Sequence, residues 1–311
     1  MEVQRKNKMN QRQIRDGRRR KVRRKIGKMD GNKQGVTRES ENAMISYAIG
    51  TKKINDGTYV METKEIEINE ETRMIHEFSR AELLLGREAL DKIRKSTIMV
   101  FGVGGVGSHC IEALARCGVG KLILIDNDTV SLTNLNRQAV AFHSTIGKYK
   151  TLVMKQIIQD ISPQTQVETH EMFVLPENLE SLFVEKPDYV IDAIDTVTAK
   201  LALVELAQKL EIPMISCMGT GNKLHAELFE IADLSKTSVC PLCKVMRKEL
   251  KVRGISHLKV LYSNEKPVDT SARETEEEKG NRRSIPGSVS FVPPVAGILI
   301  AGEVLREIGG I

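Results

Sequence analysis

The chain has 311 residues, enough for one large domain or two small ones, and 41% of them are apolar, enough for a core. Tryptophan is absent and aromatics are only 4%, which argues against an aromatic stacking platform, and no apolar run reaches the ~18 residues of a membrane span. The net charge of +6 sits at one end: residues 1–28 hold 13 Lys and Arg against Glu2 and Asp16, so an arm of +11 leaves the remaining residues at −5.

Residues 1–70 lack sustained hydrophobic periodicity and are expected to form a basic, disordered or peripheral N-terminal extension. The arm reads either as a solvated tail, even as translated sequence upstream of a start at Met61 or Met74, or as an RNA-gripping segment working through phosphate contacts. Residues 71–311 are expected to form the folded domain. Two short helical pieces flank Gly86. Thr97–Phe101 is short, apolar and β-branched, a buried parallel strand, and residues 108–117 continue as a helix. A second strand, KLILID, ends at Asp126. Helical spacing comes next over 147–161, strand character over 167–174 and 189–193, a helix over 198–210 and a strand over 213–217. A further strand is expected over 225–231, a helix over 240–253, a strand over 258–262 and a closing helix over 293–308, with a polar, mobile loop near 265–286. This succession implies an α/β fold: a Rossmann-like, mostly parallel sheet with helices on both faces and ligands at the carboxyl ends of its strands. The five cysteines are scattered and follow no secretory leader, so reduced thiols in a cytoplasmic protein are expected.

The chemistry is concentrated between residues 97 and 150. Gly102, Gly104 and Gly107 give G-x-G-x-x-G with Gly105 inserted, directly between a strand and a helix. Glycines suit that place because the turn is tight and phosphates must approach bare backbone at a helix N-terminus. Asp126, at the end of the next strand, stands where such folds hold ribose hydroxyls. The residues after it discriminate among nucleotides: Asn134, Arg137, Gln138 and Lys150 supply donors, and cations with amides suit a triphosphate better than a nicotinamide, which needs an apolar face. Asp195 closes VIDAID and reads either as a ligand for a hard cation or as the cap of the adjoining helix. Cys240 and Cys243 form a single C-P-L-C pair; a structural zinc site commonly needs two such pairs, so here it would require outside help, for example from His257. Cys217 reads as a small buried residue.

Four pieces in order, GVGGVGS (102–108), IDNDTVSLTNLNRQ (125–138), GKYK (147–150) and VIDAIDT (190–196), resemble the ThiF/MoeB superfamily, relatives of ubiquitin-activating enzymes. Within it, residues 78–93, 112–126, 239–255 and 288–305 resemble the tRNA threonylcarbamoyladenosine dehydratases. The resemblance implies a ThiF/MoeB-type adenylation fold and an enzyme that uses ATP and Mg2+. Such an enzyme would activate the threonyl carboxylate of threonylcarbamoyladenosine in tRNA as an acyl-adenylate, then close it to a ring with loss of water. It implies Gly102, Gly104, Gly105 and Gly107 at the phosphates, Asp126 at the ribose, Asn134, Arg137 and Lys150 at the triphosphate, Asp195 at the metal, and Arg80 reaching across a homodimer to the neighbour's γ-phosphate. It also brings in a sulfur-relay protein as a partner. The cysteine that would meet that partner is missing from residues 284–294, SIPGSVSFVPP. The alternative within the superfamily is an adenylyltransferase for a ubiquitin-like sulfur carrier protein, which predicts the absent second C-x-x-C. A plain nicotinamide dehydrogenase or nucleotide-binding module would leave NLNRQ, Lys150 and Arg80 without purpose. For a polyanionic RNA, a basic face is expected on the 240–253 helix, where Lys244, Arg247, Lys248 and Lys251 share helical spacing.

Overall fold

The computed structural model describes the backbone of residues 44–53 and 59–67, and residues 75–270 and 286–311 in full. The chain divides into two units, 1–75 and 76–311. In the first, β1 (Met44–Lys53) pairs antiparallel with β2 (Tyr59–Glu67), with a register shift between Ala48 and Gly50. No element is read from the sequence in residues 1–70, and the hairpin is an addition to that reading. The overlooked signal is Asp56-Gly57 between two runs bearing β-branched and aromatic residues, a hairpin pattern that the surrounding charge obscured. The basic stretch 1–28 lies outside the described residues.

The second unit is a seven-stranded sheet in the order β5-β4-β3-β6-β7-β9-β8. The central strands β3 (Thr97–Phe101), β4 (Lys121–Ile125), β5 (Gln166–His170), β6 (Tyr189–Asp192) and β7 (Met214–Cys217) are parallel. β9 (Lys259–Ser263) continues parallel to β7, and only the edge strand β8 (Phe229–Asp233) runs antiparallel. Alternation along the strands builds two cores. Ile98, Val100, Leu122 and Leu124 face one side, against Ile111 and Leu114 of α3 (Gly107–Arg116) and Ile300 and Val304 of α8 (Val292–Gly309). Met99, Phe101, Ile123 and Ile125 face the other, against Leu203 and Leu206 of α6 (Val197–Lys209) and Leu179 of the short α5 (Pro176–Leu179). Burying each such side chain contributes roughly 1.5–3 kcal/mol, so the strands are fixed from both faces. A third cluster seats α7 (Pro241–Val252) through Cys243, Met246 and Leu250. The remaining helices among the described residues are α1 (Ser79–Leu85) and α2 (Arg87–Lys95), separated at Gly86, and α4 (Lys150–Ile161).

Several expected boundaries move inward. The 167–174 strand ends at His170, and the 225–231 strand starts only at Phe229, after a 3-10 turn at Ala226–Leu228. The 147–161 helix begins at Lys150 because Gly147 takes φ +85 and residues 147–150 fold back on residues 128–130. The loop expected to be mobile from residue 265 begins with an anchored one: Glu265 is buried and accepts hydrogen bonds from the N–H groups of Leu224 (2.9 Å) and His225 (3.0 Å). Residues 271–285 of that loop lie outside the described residues.

Chain order sets the position of the site. From β3 the chain moves outward to β4 and β5, then crosses back to β6 on the other side of β3. The carboxyl ends of β3 and β6 therefore diverge into loops on opposite faces, and a crevice opens between them.

Candidate nucleotide site

A cavity of about 640 Å3 occupies that crevice, lined by Gly102, Gly104, Gly105 and Val106 after β3, by Asp126 and Asp128 after β4, and by residues 193–196 after β6. The turn requires its glycines for distinct reasons. Gly102 takes φ +93, and a Cβ there would lie 2.7 Å from the Ala193 carbonyl oxygen. Gly107 does not line the cavity; a Cβ on it would sit 1.8 Å from the Gly102 carbonyl oxygen, so it lets α3 start hard against the strand end. Gly104 has open space where a Cβ would point and offers bare backbone to the cavity. Gly297 of α8 allows the same closeness from behind, where a Cβ would meet the Val106 carbonyl oxygen at 2.3 Å. The cradle is thus a helix N-terminus held by backbone-to-backbone packing, with N–H groups available to an anion.

Asp126 is fixed before any ligand arrives: its carboxylate accepts from the Val103 N–H (2.6 Å) and the Asp128 N–H (2.8 Å). Lys150, buried at the start of α4, donates from Nζ to Asp128 Oδ2 at 2.7 Å, and Asp128 itself is largely exposed. Asn134 is buried and accepts from the Ser131 N–H at 3.0 Å, holding the 3-10 turn Leu132–Asn134 against the cavity. Among the described residues Arg137 donates only to neutral oxygens, the Thr133 carbonyl (3.0 Å) and the Asn136 amide (2.8 Å), and burial lowers its guanidinium pKa below the ordinary value. A desolvated cation without a counter-charge favours an anion beside it. Next to it, Gln138 is buried with its Oε1 unpartnered. An orphaned buried acceptor costs roughly 1–3 kcal/mol unless something donates to it. The cradle, the two cations and this amide fit a nucleotide carrying several phosphates and hydrogen-bond donors.

Asp195 lies three residues beyond β6, exposed on the cavity lining, and touches only the Thr196 hydroxyl at 3.4 Å. The cap position of α6 is Thr196 rather than Asp195. The strand's own acid has a different task. Asp192 is fully buried and accepts from Lys200 Nζ (2.9 Å) and Ser216 Oγ (2.5 Å), while Lys200 also donates to the Cys217 carbonyl at 2.7 Å. This closed network ties α6 to β6 and β7 beneath the cavity floor. Arg80 is exposed on α1 and does not line this cavity.

The opposite wall comes from the β7–β8 loop and the start of α7. Lys223 is buried and donates to the Glu265 carbonyl at 2.7 Å; Cys217 and Cys240 also line this wall. Among the described residues no group of three or more His, Cys, Asp or Glu converges, and His257 is exposed and paired with Asp233 at 3.2 Å, so it does not assist the cysteines. The expected basic face of α7 also needs correction. Arg247 is turned inward, donating to the Thr237 carbonyl at 2.9 Å and to the Thr237 hydroxyl, which leaves Lys244, Lys248 and Lys251 exposed. Arg247 is drawn in because the loop preceding the helix leaves carbonyls to be satisfied.

Sequence reasoning brought Gly102, Gly104, Gly105, Asp126, Asn134, Arg137, Lys150 and Asp195 to one cavity. It overlooked Asp128, the partner of Lys150, and Lys200 and Lys223. Asp128 could have been read from its place in DND; the two lysines carry no local signal, because their partners stand on other elements.

The ThiF family profile matches residues 78–311. The tRNA threonylcarbamoyladenosine dehydratase of Bacillus subtilis (strain 168) is 43% identical over 243 residues, 76% of this chain and 95% of that protein. The dehydratase of Escherichia coli (strain K12) is 39% identical over 168 residues, 54% of this chain and 63% of that protein. A crystal structure of the E. coli dehydratase in complex with ATP superposes with a TM-score of 0.68 at 31% identity, covering 75% of this chain and 94% of that one, and the same protein has been crystallised with AMP. A glycine cradle at the sheet's switch point, two cations beside it and this similarity over residues 78–311 converge: the chain belongs to the ThiF family, among its tRNA threonylcarbamoyladenosine dehydratases.

Proposed function

We propose that this chain cyclises threonylcarbamoyladenosine in tRNA with ATP, through an acyl-adenylate on the threonyl carboxylate. The observation that carries this reading is the 43% identity across 95% of the B. subtilis dehydratase, in a chain whose cavity has the donors a triphosphate needs. A free carboxylate repels nucleophiles. Its oxygen attacks the α-phosphorus of ATP and pyrophosphate departs. The acyl carbon, now bearing AMP as leaving group, is attacked by a nitrogen of the carbamoyl arm; the C–N bond closes the ring, AMP leaves with the original oxygen, and the nitrogen's proton passes to solvent. The net change in the nucleoside is the loss of one water.

The first step brings two anions together, so fixed positive charge and N–H groups supply most of the stabilisation. In this reading Gly102, Gly104 and Gly105 present backbone to the phosphates, with Gly107 holding the cradle's shape, and Arg137 and Lys150 neutralise the triphosphate with Asn134 beside them. Asp126, already oriented by two N–H groups, receives the ribose hydroxyls. Mg2+ commonly binds through one or two carboxylates plus substrate phosphates and water, and Asp195 offers such a carboxylate at the cavity edge. The enzyme acts as a homodimer in which Arg80 completes the neighbouring subunit's site; mixing Arg80→Ala with Asp195→Ala chains should then restore part of the activity. The tRNA lies along Lys244, Lys248 and Lys251, whose helix begins at the cavity wall. A sulfur-relay partner gains no support from residues 284–294, which carry no cysteine.

The test is nucleoside mass spectrometry after incubation of modified tRNA with ATP and Mg2+. A nucleoside lighter by one water supports the proposal. An unchanged nucleoside together with adenylation of a ubiquitin-like carrier protein would establish the adenylyltransferase reading instead.

A further inference from the structure

Nucleotide chemistry leaves the Cys240–Cys243 pair without a task. Cys240 caps α7 and Cys243 stands three residues on, so both belong to the helix's first turn. That spacing keeps two Cα atoms within the roughly 4.4–6.8 Å that a disulfide bridges without backbone movement. Their settings differ in the way an attacking and a resolving thiol require. Cys240, itself buried, lines the cavity; Cys243 is fully buried and does not line it. The Cys243 thiol faces the Cys240 sulfur, and the N–H groups of Cys243, Leu242 and Gly219 surround it, which holds Cys240 well below the ordinary thiol value despite burial. The same sharing of a proton pushes Cys243 up. Burial holds the Lys223 ammonium below its ordinary value, and the nearby Cys240 offsets part of that effect, which places a cation close to the Cys240 sulfur. The backbone is held unusually to place Cys240 there: Val239, a β-branched residue, takes φ +59, and the Cys240 N–H closes a tight turn onto the Ser238 carbonyl at 2.5 Å. The other cysteines contrast with this pair, since burial raises Cys110 and Cys117 and pushes Cys217 up to about 12. A C-x-x-C at a helix start in an α/β fold, with no third metal ligand among the described residues, is a setting for thiol–disulfide exchange.

We propose that Cys240 and Cys243 form a redox-active dithiol site that takes small disulfides through the cavity. The Cys240 thiolate attacks one sulfur of the disulfide, forming a mixed disulfide and expelling the first thiolate. Cys243 then gives its proton to that thiolate and attacks the Cys240 sulfur, expelling the second thiolate, which takes a proton from solvent. Two protein thiols are oxidised to one disulfide, and one small disulfide is reduced to two thiols. The exchange is fastest where the attacking sulfur is already a thiolate.

The experiment incubates the full chain with oxidised glutathione, traps remaining thiols by alkylation and maps the peptides by mass spectrometry. Free thiols should fall by two from the five present, with Cys240 joined to Cys243 and the joined peptide lighter by two hydrogens. Cys243→Ser should stop at a glutathione adduct on Cys240, and Cys240→Ser should keep Cys243 reduced. Serine is itself a good N-cap, so the second variant should retain its fold, to be checked by circular dichroism. Cys240 left unmodified in folded wild type would overturn the site. An adduct on Cys240 that never resolves onto Cys243, or equal reaction of Cys243 in Cys240→Ser, would overturn the division of roles. None of these readouts involves ATP or tRNA, so they stand or fall apart from the proposed function.

Discussion

Two buried lysines on either side of the cavity floor have opposite surroundings. Lys200 Nζ has three partners within the protein, Asp192 (2.9 Å), the Cys217 carbonyl (2.7 Å) and Ser216 (3.3 Å), and neither member of the ion pair reaches solvent. Among the described residues Lys150 has one side-chain partner, Asp128, whose side chain is 58% exposed, and it lines the cavity beside Arg137, which there has only neutral partners. In the first region polar capacity is used up internally, and the network is architecture. In the second, charge is buried with its capacity unspent, which a folded protein tolerates where a ligand completes it.

Lys200→Met tests this contrast most severely. It leaves Asp192 buried without its cation, and removing one partner of a buried pair costs roughly 3–5 kcal/mol. Urea unfolding should show a large drop in stability; a midpoint unchanged from wild type would remove Lys200 from the architectural class. Next come Arg137→Ala and Lys150→Ala, each expected to cut turnover by roughly 10²-fold or more, the scale of a lost preorganised donor, with only a small change in unfolding midpoint. Steady-state kinetics beside thermal melts separates the two regions, and wild-type turnover in either variant would contradict the assignment. A milder effect is expected from Lys244→Ala, Lys248→Ala and Lys251→Ala combined. The tRNA dissociation constant should rise and its logarithmic salt slope should fall by about 0.7–0.9 for each phosphate that no longer meets a lysine, while ATP affinity holds. Binding abolished instead by deletion of residues 1–70, with the triple variant binding normally, would make the basic arm the RNA-binding element.

A slighter change still is expected at the ion pair between α8 and β9. Glu303 of α8 is held below its ordinary value of 4.5, first by its hydrogen bond from Lys259 and then by that from Arg306. A depressed carboxylate contributes stability that is present above its unfolded pKa and lost as pH falls through its lower, folded one. Wild type should therefore lose some stability below about pH 4.5, and Glu303→Gln should flatten that acid limb by roughly 1 kcal/mol or less, since such partly exposed pairs contribute little. Chemical denaturation at a series of pH values reads it; an unchanged limb would show that the pair does not couple to folding.

The strands and the phosphate turn are legible in the amino-acid order because their causes are local. Thr97–Phe101 reads as a buried strand from its own five residues, and the observed element has those bounds. Gly102 is dictated by its positive φ and Gly107 by a backbone clearance within the same turn, and the motif from Asp126 to Lys150 is contiguous enough to point to a nucleotide. Which polar residues spend themselves on the fold is settled only by tertiary packing. Asp192 and Asp195 stand three residues apart in VIDAIDT, yet one is sealed against Lys200 and Ser216 while the other faces the cavity, since strand β6 ends between them. Arg247 has the helical spacing of a surface stripe and is turned inward by the carbonyl of Thr237, ten residues earlier. Cys240 and Cys243 read as half of a zinc site until the helix start, the strained Val239 and the buried Lys223 are placed around them. In each case the deciding partner comes from another element, and a side chain's role is set by which of its hydrogen-bonding and charge capacities the fold has already filled.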